Sequence, residues 1–167
     1  MARKSNYFLI GLLAVVLSAC ATNPRPADDE REIDTRVREP ARQDSEGVQV
    51  FPLQNPAVKE LLADASQAET GGDYDHAAVL LERALRIQPR DPEILQHMAE
   101  VQLQKKDYEQ ALTFAVRSYD IGPRVGEICS RNWRTISVAR GHLGDDSGSV
   151  QAEHRASACM NTKPQSL

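Results

Sequence analysis

One stretch of this chain occurs twice, in register. Gly72–Pro89, GDYDHAAVLLERALRIQP, and Lys106–Pro123, KDYEQALTFAVRSYDIGP, set Asp73-Tyr74 over Asp107-Tyr108, Ala77 over Ala111, Ile87 over Ile121 and Pro89 over Pro123, always 34 residues apart. A period of this size marks a stacked array of supersecondary units, none of which can bury its apolar face alone. Inside each copy the apolar residues recur at spacings of three and four, the pattern of an amphipathic helix and not of a strand. The expected fold is therefore all-α, built from helical hairpins.

The hairpin boundaries are written in caps and breakers. Asn55-Pro56 reads as an N-cap followed by proline in the first helical position, where its missing N–H is harmless. A helix to about Thr70 follows, with Leu61, Ala65 and Ala68 on one face, and Gly71-Gly72 breaks it. Asp73 can cap a second helix, Tyr74–Gln88, with Ala77, Leu80, Leu81, Ala84 and Ile87 inward. Asp91-Pro92 repeats the cap-then-proline start of a helix to Lys105, with Leu95, Met98, Ala99 and Val101 on its core side. Asp107 then caps a partner helix with Ala111, Phe114, Ala115, Ser118 and Ile121 inward.

A Gly-Asp-Tyr turn, paired alanines and a closing proline at this period resemble the tetratricopeptide repeat (TPR), a helix–turn–helix unit. Two units are regular. In a degenerate third, Trp133, Ile136 and Gly144-Asp145 fit the pattern, but ten residues separate Pro123 from Trp133 where six separate Pro89 from Leu95. The third unit thus carries four additional residues, and its second helix is expected from about Asp146 to Met160, keeping Val150, Ala152 and Ala156. The TPR domain is placed at residues 55–161, with a tail at 162–167. Asp64, Ala68, Gln102 and Ser118 depart from the repeat pattern, and a locally looser inner face is expected from them; Arg140, in place of the usual aromatic, marks the third unit as an atypical final one.

The N-terminus reads as an address. Arg3 and Lys4 precede an uncharged apolar run from Tyr7 to Leu17, shorter than the roughly 20 residues a membrane-spanning helix requires, so residues 1–19 are expected to be an export signal. The run ends in Leu17-Ser18-Ala19-Cys20, which resembles the bacterial lipobox. That resemblance implies a lipidated Cys20 as first mature residue, palmitate among its acyl chains, and stable anchoring once more than one chain is attached. With Ala21 and not Asp next, it implies the periplasmic face of the outer membrane. Residues 20–54 are then an anchor and a disordered tether: the stretch 21–47 is dense in Asp, Glu, Arg and Pro and offers only Ile33 and Val37 as sizeable apolar groups. Roughly 30 such residues would reach on the order of 100 Å when stretched. Val48–Leu53 is expected to pack on the edge of the first helix.

Once Cys20 is assigned to lipid, Cys129 and Cys159 remain, an even pair in an exported chain. Gly144, at the proposed turn, stands midway between them. Residues equidistant from an antiparallel turn come level, so a disulfide is expected, the alternative being two unpaired buried thiols. His76, His97, His142 and His154 show no metal-ligand spacing, and the chain contains no nucleophile elbow, P-loop or dinucleotide fingerprint. A net charge of −4 gives no basic surface for nucleic acid. The chain is thus expected to be no enzyme and to use no cofactor, metal or small-molecule substrate.

Binding is what such repeats do. The TPR resemblance implies that the first helix of each unit lines a concave groove. By matching positions these are Lys59, Leu62 and Ser66, then Glu93, Gln96, Glu100 and Leu103, then Arg131, Arg134 and Val138. Leu62, Leu103 and Val138 would anchor an extended or helical peptide, and the arginines would take its acidic groups. The combination of lipobox, charged tether and short TPR domain resembles the pseudomonad-type outer-membrane lipoproteins that activate bifunctional penicillin-binding proteins. It implies an envelope protein partner of that kind. The other reading is a TPR assembly factor, such as a pilotin for a type IV pilus secretin.

Overall fold

A computed structural model describes residues 32–43 and 55–159 of the chain. The signal, Cys20, Val48–Leu53 and the tail lie outside the described residues. Six helices form three antiparallel pairs: α2 (Pro56–Thr70) with α3 (Tyr74–Ile87), α4 (Pro92–Gln104) with α5 (Tyr108–Ile121), and α6 (Gly126–His142) with α7 (Asp146–Ala158). A further helical segment, α1 (32–43), lies against α6.

The repeat register is visible in the turns. Gly72, Lys106 and Gly144 take positive φ values of 76°, 60° and 83°, each ending the first helix of its pair. The following Asp73, Asp107 and Asp145 donate their N–H groups back to Ala68, Gln102 and Arg140, closing the six-to-one bond of a Schellman motif. Each of those carboxylates then accepts from the N–H three residues on, at His76, Gln110 and Gly148. One short sequence thereby stops a helix, reverses the chain and starts the next.

The four additional residues of the third unit are helix, not loop. α6 has 17 residues where α4 has 13, and four residues are close to one 3.6-residue turn, so the inward face stays in phase. That extra turn carries Cys129, which meets Cys159 at the end of α7 in a disulfide with a Cα–Cα distance of 5.7 Å. Around the bridge pack Trp133, Ile136, Ala115, Ala152 and Ala156, with Tyr119 edge-on to Trp133 at 4.7 Å. In the first units the core is Val58, Leu61, Ala65, Leu80, Leu81, Ala84, Ile94 and Met98, where alanines permit close helix approach.

Two expectations of local packing are corrected. Ser118 does not loosen the inner face: it is buried, and its hydroxyl donates to the Pro92 carbonyl at 2.7 Å, tying α5 to the start of α4. Ile87 and Ile121, expected inward, are substantially exposed, because each is the last residue of its helix and has no following turn to cover it.

Candidate partner-binding groove

Helices α2, α4 and α6 line one side of the stack, and their facing side chains converge on Glu100. This carboxylate has 0% exposure. Arg131 meets it with two guanidinium nitrogens at 2.8 Å, Gln96 Nε2 donates to it at 3.0 Å, and the same nitrogen lies 2.8 Å from Thr135 Oγ1. A buried charge is tolerable only when paired and hydrogen-bonded, and α4 and α6 supply those partners.

The second guanidinium comes from outside the repeats. Arg38 of α1 donates to Glu100 Oε2 at 2.7 Å and to Glu69 Oε2 at 2.8 Å, while Glu69 also pairs with His97. Burial alone would raise the Glu100 carboxyl, but the charges of Arg131 and Arg38 and the Gln96 hydrogen bond outweigh it and hold the group at about 2. Glu69 follows the same logic: burial pushes it up, His97 and Arg38 pull it further down, and it rests below the ordinary carboxylate value. Burial would lower Arg38, yet the two carboxylates raise it on balance.

Disorder was expected across this part of the tether, and residues 32–43 contradict it. Ile33 and Val37, the two apolar groups of the stretch, are buried against Leu103, Ala111, Val138 and Ala139, and Ala41 is buried as well. At the other end of the segment, the Glu32 carboxylate accepts from Arg36 and lies 3.0 Å from His142 Nε2, whose ring stacks on Tyr108 at 4.3 Å. Pro40 fits inside the helix because the preceding turn is wide. Residues Asp34–Arg38 are π-helical, and Glu39 N–H reaches Asp34 O just before the ring that has no N–H to give.

The predicted groove residues divide accordingly. Glu100, Gln96 and Arg131 form the buried polar centre, and Leu103 and Val138 are covered by α1. Leu62 and Ser66 line an open pocket of about 470 Å³ between α1 and α2, together with Glu69, Glu93 and His97. Lys59 is exposed and lies outside that pocket. The arginines expected to receive a partner's acidic groups are paired within the groove in this structure: Arg131 with Glu100 and Glu127, and Arg134 with Glu153 at 2.8 Å. Sequence reasoning missed Glu69, His97 and Arg38. The signal that could have found Arg38 was the i, i+4, i+8 spacing of Ile33, Val37 and Ala41 around it.

Stacked antiparallel helix pairs with this turn chemistry and an inner groove define a repeat protein that binds other proteins, and the chain belongs to the tetratricopeptide-repeat family. Residues 70–117 match that family, described as tetratricopeptide repeat. Among solved structures, the globular C-terminal domain of P. aeruginosa LpoP is 34% identical, with a TM-score of 0.59 over 62% of this chain and 98% of that one. The repeat domain belongs with it. A CopN–Scc3 complex structure, 13% identical with a TM-score of 0.59 over 95% of this chain and 89% of the other, shares the fold. No curated protein matches the chain. It is a non-catalytic interaction protein.

Proposed function

We propose that the chain is an outer-membrane-anchored adaptor that docks on, and activates, a bifunctional penicillin-binding protein from the periplasmic side. The observation that carries this reading is the likeness to the LpoP domain, 34% identical across 98% of that domain, which supports the family resemblance drawn from the lipobox, tether and repeats. In this reading Cys20 holds acyl chains in the outer membrane, the residues before Asn55 bridge toward the inner membrane, and the TPR groove meets the synthase. A TPR domain fits the role because it offers surface without requiring turnover.

The test is reconstitution. Full-length protein added to a purified bifunctional penicillin-binding protein should raise the rate of glycan polymerisation or crosslinking several-fold, with no peptidoglycan turnover by the adaptor alone. An unchanged rate, together with recovery of a secretin on crosslinking in envelopes, would replace this reading by the assembly-factor one.

A further inference from the structure

The groove is already occupied, and its occupant describes the ligand it is built for. Segment α1 brings apolar groups at Ile33, Val37 and Ala41, all on one side, and a guanidinium at Arg38 aimed at two carboxylates. Its seat is supplied by the repeats: Leu103, Val138 and Ala139 form the apolar floor, and Glu69 and Glu100 form the acidic wall. Burial of β-branched side chains and a doubly paired arginine is how an amphipathic helix is held in a groove.

We propose that the groove of α2, α4 and α6 is a site for an amphipathic helix carrying small or β-branched residues at i, i+4 and i+8 and an arginine at i+5, and that residues 32–43 are its resident, displaceable ligand. This deepens the adaptor reading and rests on it: the partner contributes a helix of that chemistry. The space next to α1 gives the displacing helix its entry. Between α1 and α2, about 470 Å³ lined by Leu62, Ser66, Glu69, Glu93 and His97 stays open, so a cation of the incoming helix can reach Glu69 before Arg38 leaves. Exchange then keeps the buried carboxylates paired throughout, avoiding the several kcal/mol that an unpaired buried charge would cost.

Displacement also changes reach. With α1 seated, 13 residues separate Cys20 from Ile33, a contour length of at most roughly 45 Å; with α1 released, the count runs from Cys20 to Asn55, a contour length of roughly 120 Å. Occupation of the groove and extension of the tether are in this way one equilibrium. A partner within short reach is met by a closed groove, and a partner that captures the groove at the same time lengthens the line that holds it.

The experiment needs no penicillin-binding protein, so its outcome and that of the reconstitution above are separable. Hydrogen exchange on the full chain should show the amides of residues 34–39 and 41–43 protected at least tenfold over a free peptide of the same sequence. Val37→Asp should abolish that protection while residues 55–159 keep theirs, which confirms an intact repeat domain. A fluorescent peptide of residues 32–43 added in trans should bind the Val37→Asp chain at least tenfold more tightly than the wild-type chain. The same peptide carrying Arg38→Glu should lose binding. Unprotected amides in the wild-type chain, equal affinity of the peptide for both chains, or undiminished binding of the Arg38→Glu peptide would each overturn the proposal.

Discussion

Glu100 is the residue on which the groove turns. Its surroundings supply three hydrogen-bonding partners from three elements, Arg38 of α1, Gln96 of α4 and Arg131 of α6, so removing its charge strands two guanidiniums in a mostly dry site. Glu100→Gln should cost about 3 kcal/mol in urea unfolding, at the lower end for a broken buried pair because both arginines keep some contact with water. The pH dependence has a defined sign. A carboxyl lowered from 4.5 to about 2 contributes stability that is fully present above 4.5 and lost as pH falls through about 2. Stability measured between pH 4.5 and 2 should therefore decline, and the slope should be shallower in Glu100→Gln; equal slopes would show that this carboxyl does not titrate as its neighbours dictate. Glu100 was legible in the sequence as a groove position, but its burial was not, since matching repeat positions tells which face a residue occupies and nothing about what covers that face. Arg38 was hidden for the opposite reason: in a run so rich in charge, composition argues for disorder, and only the placement of two apolar residues four apart argues against it.

At the scale of elements, the 34-residue period and the Asp caps gave nearly all helix boundaries, because stop, turn and start are encoded locally and repeated. Gly72, Gly144 and their capping aspartates could be read as punctuation, while Lys106 shows that the register is strong enough to hold a non-glycine at positive φ. What could not be read was how the third unit would spend its four extra residues. They became a helical turn of α6, and this places Cys129 level with Cys159. The Cys pairing expected from equidistance about Gly144 agrees with that geometry. Closing a loop with a sequence separation of 30 restricts the unfolded chain, and in the chain-entropy account it stabilises by roughly 3 to 4 kcal/mol. Replacing both cysteines by serine should lower stability by about that amount, with the loss concentrated in α6 and α7 as read by hydrogen exchange. A double variant as stable as the parent would remove the bridge from the account.

For the whole molecule, the three hairpins make a scaffold with two dissimilar sides. One side is the groove, with its buried ion pairs and resident helix; the other exposes Val79, Val116 and Val150 on α3, α5 and α7. Fold class followed from periodicity alone, whereas the state of the groove depended on a contact between residues 62 positions apart, Arg38 and Glu100, which no local pattern reports. The adaptor reading commits to the groove side. A photo-crosslinking residue placed at Ser66, in the open half of the groove, and in a second full-length chain at Val116, on the opposite side, distinguishes the two with a purified bifunctional penicillin-binding protein. The account predicts an adduct from Ser66 and none from Val116; an adduct from Val116 alone, or none from either, would contradict it.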